Sequence, residues 1–113
     1  MLKRAGCTDL LALAAVGSLR EHLAPGGFVV VDQFVDRTVA RPNSFFGTGM
    51  VAHVSMADPV CPRLSVLAAE AGRRAGATVY EGGTYVAIEG PQFSTGAESH
   101  LYRQWNCEVI GMT

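Results

Sequence analysis

Short apolar runs alternate with amphipathic or polar segments along most of this chain, and that alternation limits its possible folds more than any other feature. The pattern is typical of strands and helices in a mainly parallel sheet. It predicts buried strands over residues 10–16, 28–31 and 107–112. Residues 78–89 are predicted to form two strands, or one bulged strand, around Gly82-Gly83. We therefore expect an α/β fold.

Two helices are predicted before residue 80. A short helix over residues 19–23 ends at Pro25-Gly26-Gly27, where proline and glycine stop the helical pattern. A longer one over residues 63–76 ends at Gly76. Its apolar residues are spaced along one face, at Leu64, Leu67, Ala68 and Ala71.

The remaining segments are predicted as turns, loops and one more helix. Residues 90–93 form a turn, and Ser94 or Thr95 caps a helix that runs to about Trp105. Residues 32–41 carry the chain out to a polar surface, and residues 41–49 form a loop. Phe45 and Phe46 in that loop either contact another surface or pack into the chain's own core.

Composition narrows the class of protein and of partner. With 113 residues, 49% of them hydrophobic, the chain is long enough for one packed domain and too apolar for a disordered one. The net charge is −1 and no Lys/Arg stripe is present, which argues against a nucleic-acid partner. Three widely spaced cysteines indicate reduced thiols in a cytosolic protein rather than zinc ligands or disulfides.

The N-terminus imitates a secretory signal, because a basic start precedes the apolar residues 10–16. Asp9 interrupts the approach to that run, which is only seven residues long. No stretch comes close to the ~18 apolar residues that a membrane span needs. We therefore expect a cytoplasmic protein with no membrane partner.

Six short blocks, in order and at matching spacing, identify a family resemblance. They are Gly17-Ser-Leu-Arg-Glu21, Val31-Asp-Gln-Phe-Val-Asp-Arg-Thr38, His53-Val-Ser-Met-Ala-Asp-Pro59, Ile88-Glu-Gly-Pro-Gln-Phe-Ser94, Ala97-Glu98 and Gly111-Met-Thr113. Together they resemble the methylthioadenosine phosphorylase branch of the trimeric purine nucleoside phosphorylases. The resemblance implies a three-layer αβα sandwich with a mixed, mostly parallel sheet. Residues 1–113 would be the central part of that single domain, with its N- and C-terminal portions missing.

The activity that the resemblance implies is phosphorolysis in purine and methionine salvage. Phosphate attacks the anomeric carbon of 5′-methylthioadenosine and the purine departs, with no metal or other cofactor and with a homotrimer as the working assembly. The family's general acid, an aspartate, follows the Met-Thr pair and lies beyond Thr113, so no catalytic residue is assigned here. An Arg-His pair and a hydroxyl loop for phosphate are absent upstream. We therefore expect negligible activity from this chain alone.

The resemblance assigns phosphate binding to Ala14, Ala15 and Thr113. Small residues at a strand end let backbone N–H groups approach an anion, although the residues alone indicate plain strand packing more often. Ala14 stands where the family often has threonine, so that hydroxyl contact is missing. Phe93 is expected against the purine and Met112 beside the ribose. Without the resemblance, the interpretation of Phe93 is ordinary core packing.

Two further positions bear on purine specificity, and three others are given different roles. Ser94 favours 6-aminopurine substrates, since 6-oxopurine phosphorylases, which resemble this motif, carry glutamate there. Gly111 favours the alternative, a purine nucleoside phosphorylase acting on inosine or guanosine, because the methylthioadenosine branch often has asparagine at this position. His53 is expected to reach a neighbouring subunit's pocket, with a structural role as the alternative. Glu89 and Glu98 are interpreted as solvated or capping residues rather than an acid/base pair.

One other class of function is compatible with the sequence. The chain could serve as a noncatalytic module that binds nucleoside weakly or acts only in assembly. A redox or NAD-binding protein is excluded because no GxGxxG turn follows a predicted strand.

Overall fold

The computed structural model describes residues 2–113 and contains a mixed, mostly parallel sheet. Its strands are β1 (Gly17–Ser18), β2 (Phe28–Val30), β3 (Gln33–Arg37), β4 (Val79–Glu81), β5 (Thr84–Ile88) and β6 (Cys107–Gly111). Its helices are a 3₁₀ turn (Leu2–Ala5), α1 (Pro62–Arg74) and α2 (Gly96–Gln104). Strands β3, β5 and β6 are parallel, and β1 lies antiparallel on the outer edge of β6. The predicted α/β class is confirmed.

The two strands β2 and β4 form a separate parallel pair that leads directly into β3 and β5. The break between the pairs lies at Gly82 and Gly83. Gly82 N–H donates to the Val30 carbonyl at 2.9 Å, and Gly83 N–H donates to the Asp32 carboxylate at 3.1 Å. Of the two alternatives for residues 78–89, two strands is therefore the correct one.

The core lies around β5, the most deeply buried strand. Val86 is fully buried, and Ala87 and Ile88 after it are also buried, as expected for a strand covered on both faces. Cys107 and Val109 are buried on alternate positions of β6, the period-two pattern of a strand. Leu19 and Tyr102 complete the cluster, and Val35, Ile110 and Met112 pack against it.

Helix α2 begins where the sequence predicts. The Thr95 hydroxyl accepts a hydrogen bond from Glu98 N–H at 3.2 Å, while the Glu98 carboxylate accepts one from Thr95 N–H at 2.7 Å. This reciprocal capping box satisfies two backbone donors that the helix itself leaves unpaired. The prediction of a cap at Ser94 or Thr95 is confirmed for Thr95.

Helix α1 also forms as predicted, and Leu64 and Ala68 of its predicted apolar face are half-buried. Ala69 is buried, whereas Leu67 is 46% exposed and Ala71 is exposed. A Cβ built on Gly72 would lie only 2.8 Å from Val79 Cγ2, so α1 packs closely on β4 at this glycine. The face that packs on β2 and β4 is therefore centred on residues 69 and 72, and the predicted stripe was wrong for Leu67 and Ala71.

Two predicted elements near the N-terminus do not form. Residues 10–16 have no regular structure and are exposed, because among residues 2–113 no strand lies beside them to pair with their backbone. Residues 19–23 form turns rather than a helix, since so short a segment gains too few hydrogen bonds to offset helix nucleation. Leu19 and Leu23 are nevertheless buried.

The polar segment 32–41 contains a strand that the sequence analysis missed. Residues 33–37 form β3, which pairs along its whole length with β5. Its sequence, Gln-Phe-Val-Asp-Arg, does not alternate apolar and polar residues, and only Val35 of this edge strand is half-buried. In the loop at residues 41–49, Phe45 is 92% exposed and Phe46 is 44% exposed, so packing into the chain's own core is excluded for Phe45.

Candidate functional site

Three parallel strands end at one edge of the sheet. Arg37, the last residue of β3, pairs with Ile88 at the end of β5, and Ala87 pairs with Gly111 at the end of β6. We call this the strand-end edge; it comprises those termini and the residues that follow them, 38–41, 89–94 and 112–113. In open α/β sheets, ligands bind in the crevice at the carboxyl ends of the strands.

Glu89 holds the segment after β3 against the segment after β5. Its carboxylate accepts hydrogen bonds from Val39 N–H and, at 3.1 Å, from Ala40 N–H, and it lies 3.9 Å from Arg41 Nε. The hydrogen bond from Val39, followed by that from Ala40, holds the pKa of the Glu89 carboxyl below its ordinary value. Of the solvated or capping roles predicted for Glu89 and Glu98, Glu98 has the capping one in its capping box. Glu89 is hydrogen-bonded to the backbone of a loop and caps no helix among residues 2–113.

Arg41 extends this network to the end of β6. Its guanidinium donates a hydrogen bond to the Met112 carbonyl oxygen. Met112 is half-buried against the core, and a Cβ built on Gly90 would lie 2.7 Å from Met112 Sδ. No local pattern predicts this role of Arg41, because 71 residues separate it from Met112.

Tyr85 contacts the residue that the resemblance assigns to phosphate. Its hydroxyl donates to the main-chain oxygen of Thr113 at 3.1 Å and accepts from Thr113 N–H at 3.1 Å. No sequence pattern singles out Tyr85, which locally resembles an ordinary strand residue. Met112 and Thr113 therefore lie at the strand-end edge with their backbone held by two side chains from other elements.

Phe93 and Ser94 lie at a small cavity of about 130 Å³ on the same edge. The cavity is also lined by Arg37, Glu89 and Glu98. Phe93 is 87% exposed, so the interpretation of this ring as ordinary core packing is wrong. The Ser94 and Ser99 hydroxyl oxygens are 2.8 Å apart, which ties Ser94 to the first turns of α2.

Ala14 and Ala15 approach the strand-end edge from the outside of the sheet. Because β1 is antiparallel to β6, with Gly17 opposite Ile110, the residues before Gly17 enter from the edge where β6 ends. Both alanines are exposed and lie in a segment without regular structure. The prediction that they end a buried strand is wrong, while their role toward phosphate stays a prediction.

His53 is outside the residues that make up the strand-end edge. It is exposed, within a segment from residue 50 to residue 57 that contains neither helix nor strand. A role in a neighbouring subunit's pocket stays a prediction.

A second, larger cavity lies elsewhere, along β1 and the turns that follow it. It has a volume of about 670 Å³ and is lined mainly by residues 16–27, with Ser99, Arg103 and Val109. None of the predicted site residues lines it. We therefore place the candidate site at the strand-end edge, where the chemistry-bearing side chains lie.

The described part of the chain, residues 2–113, holds no group of three or more His, Cys, Asp or Glu residues arranged to bind a metal ion. Cys7, Cys61 and Cys107 are all free thiols, and burial raises the pKa of the Cys107 thiol. Within the same residues, neither helix has the length and apolar character to cross a membrane.

The sequence of this chain is similar to those of known phosphorylases. The S-methyl-5′-thioadenosine phosphorylase of Cereibacter sphaeroides is 65% identical over 112 residues, which are 99% of this chain and 39% of that protein. The corresponding protein of Rhodospirillum rubrum is 60% identical over 99% of this chain and 38% of its own length. This chain therefore spans about two fifths of these relatives.

Solved structures agree with the sequence relatives. A methylthioadenosine phosphorylase from Schistosoma mansoni, in complex with adenine, superposes with a TM-score of 0.92 at 36% identity, covering 99% of this chain and 48% of that one. A methylthioadenosine phosphorylase from an antarctic soil metagenomic library gives 0.84 at 51% identity, covering 87% and 35%. The family description "Phosphorylase superfamily" matches residues 1–113, and the chain belongs to this superfamily. The resemblance and the fold class predicted from the sequence are confirmed.

Proposed function

We propose that this chain supplies part of the nucleoside and phosphate site of a methylthioadenosine phosphorylase. The observation that carries the proposal is the common location of Phe93, Met112 and Thr113 at the ends of two adjacent parallel strands. The reaction would join a phosphate oxygen to C1′ of 5′-methylthioadenosine and break the bond from C1′ to N9. The products are adenine and 5-methylthioribose 1-phosphate.

Each predicted residue has a chemical role that its position supports. The Phe93 ring, largely open to solvent, offers a flat face to a purine, and Met112 offers an adaptable apolar surface to the sugar. The Thr113 hydroxyl and the small residues Ala14 and Ala15 leave hydrogen-bond donors accessible to an anion. The transition state has oxocarbenium character, so an anion held under the sugar stabilises it.

Ser94 supports a 6-aminopurine substrate. Its hydroxyl contacts Ser99 and lines the small cavity beside Phe93, where a glutamate would instead place a negative charge close to Glu89 and Glu98. The rival substrate class, inosine or guanosine, was favoured by Gly111. The S. mansoni relative that superposes on this chain was solved with adenine, which favours the 6-aminopurine.

The working enzyme is proposed to be a cytoplasmic homotrimer in which His53 completes a neighbouring pocket and no metal takes part. Two observations support this proposal: the cysteines are free thiols, and His53 is exposed. The relatives are more than twice as long as this chain, and the general acid is expected outside it. We therefore expect this chain alone to release adenine at a rate at least ~100-fold below that of a full-length relative.

Calorimetric titration and an adenine-release assay test the proposal together. With 5′-methylthioadenosine and phosphate, we expect saturable binding that is weaker with inosine. Phe93→Ala should reduce nucleoside affinity about ten-fold through lost stacking, whereas Phe45→Ala, which removes an equally exposed ring from another loop, should not. Saturable binding with no adenine release fits the proposal for this chain. Absence of binding, or an equal loss of nucleoside affinity in Phe93→Ala and Phe45→Ala, would contradict the proposal.

A further inference from the structure

The hydroxyl of Tyr85 occupies the space that a side chain at position 111 would need. A Cβ built on Gly111 would lie 2.6 Å from Tyr85 Oη and about 3.1–3.2 Å from two atoms of the ring. Tyr85 lies opposite Val109 on the neighbouring strand, and Gly111 follows two residues later on the same face. The ring therefore lies along β6 toward its end, and its hydroxyl fits there only because residue 111 has no side chain.

In this arrangement β5 carries the Tyr85 hydroxyl to the end of β6. Tyr85 precedes the fully buried Val86 on β5 and is itself half-buried, so its backbone position is fixed by the core. Its hydroxyl both donates to and accepts from the Thr113 backbone, each at 3.1 Å. Two hydrogen bonds to one residue define the direction of that residue's backbone more closely than either bond alone.

We propose that Tyr85 is a positioning residue that fixes the backbone at Thr113, with Gly111 providing the space that the tyrosine requires. The inference rests on the proposed function, because Thr113 is the residue assigned there to phosphate. It also changes how the glycine at position 111 is interpreted. A glycine at this position is accounted for by the volume of Tyr85 and therefore carries no information about 6-oxopurine preference.

The test uses Tyr85→Phe, Gly111→Ala and the double variant in the isotope-labelled full chain, with Tyr80→Phe as the matched control. Tyr80 lies on β4, and within residues 2–113 its hydroxyl makes no hydrogen bond. Three quantities are measured: the exchange rate of the Thr113 amide hydrogen, the midpoint of thermal unfolding, and the affinity for inorganic phosphate.

Tyr85→Phe should speed exchange at the Thr113 amide and weaken phosphate binding about five-fold, the effect of losing one typical hydrogen bond, with little change in the unfolding midpoint. Tyr80→Phe should change none of the three. Gly111→Ala should lower the unfolding midpoint by roughly 5–10 °C, and by less than half as much when Tyr85 is already phenylalanine. An unchanged Thr113 amide in Tyr85→Phe, or additive effects in the double variant, would overturn the inference.

Phosphate binding separates this inference from the proposed function. If the unmodified chain binds no phosphate, the proposed function is contradicted for this chain, while the Thr113 amide and the double variant still decide whether Tyr85 positions the backbone. If phosphate binds but Tyr85→Phe binds it equally well, the proposed function stands and the positioning role is refuted.

Discussion

Replacing Gly90 by alanine tests whether the segment after β5 is fitted to Met112. Gly90 has a φ of +73°, a backbone conformation that costs an L-residue about 1 kcal/mol or more. The added Cβ would also lie 2.7 Å from Met112 Sδ. Displacing that flexible thioether costs about 1 kcal/mol, at the low end for an overpacked contact, so we expect a total loss of about 2 kcal/mol.

Two other Gly→Ala substitutions separate the two costs. Gly76 has a φ of +79° but no atom within 4 Å of its added Cβ, so only the conformational cost of about 1 kcal/mol applies. Gly96, the first residue of α2, has ordinary backbone angles and open space around it. Alanine at Gly96 should stabilise the protein by about 0.5 kcal/mol, because it favours the helix and restricts the unfolded chain.

Thermal unfolding followed by circular dichroism measures all three variants. A domain of this size loses roughly 4 °C of unfolding midpoint per kcal/mol, so we expect losses of roughly 8 °C for Gly90→Ala and 4 °C for Gly76→Ala, with a gain of about 2 °C for Gly96→Ala. Gly90→Ala should also weaken 5′-methylthioadenosine binding, since it displaces Met112. Equal losses of unfolding midpoint in Gly90→Ala and Gly76→Ala, with unchanged binding of 5′-methylthioadenosine, would refute the contact with Met112.

Three further predictions concern individual groups. Thr95→Ala should cost about 1 kcal/mol in urea denaturation while Thr95→Ser costs little, and equal losses would argue against the hydroxyl cap. Because the pKa of Glu89 is lowered in the folded state, this carboxylate contributes its full stability above its ordinary pKa of 4.5 and loses that contribution as the pH falls through the lowered pKa. Glu89→Gln should remove that part of the dependence of stability on pH. An unchanged profile of stability against pH would count against this role of Glu89. A thiol reagent should label two cysteines in the native protein and Cys107 only after unfolding, since Cys107 is fully buried with a raised pKa; rapid native labelling of all three would contradict its burial.

The sequence predicts best those parts of the fold whose interacting residues are close together in the chain. The helix cap at Ser94 or Thr95 and the two strands, or one bulged strand, around Gly82-Gly83 are encoded within a few residues, and one of the two predicted alternatives forms in each case. Residues 10–16 were misassigned because apolar composition does not supply a neighbouring strand, without which their backbone cannot pair. Strand β3 was missed for the opposite reason: its backbone is paired with β5 although its side chains are mostly polar and exposed.

The candidate site was predictable only in part. The resemblance selected Phe93, Met112 and Thr113, whereas the residues alone favoured core packing for Phe93, which the exposure of its ring contradicts. The contacts that hold the site together join residues far apart in the chain, from Arg41 to Met112 and from Tyr85 to Thr113. No sequence window contains both partners, so these contacts become visible only when β3, β5 and β6 lie side by side.

Amide chemical-shift mapping with 5′-methylthioadenosine and phosphate tests the location of the site most directly. If ligands bind at the strand-end edge, the largest shifts fall on residues 89–94 and 111–113, with smaller ones on the approach at residues 14–16. Shifts concentrated on residues 19–27, around the larger cavity, would place the ligand elsewhere and contradict the assignment.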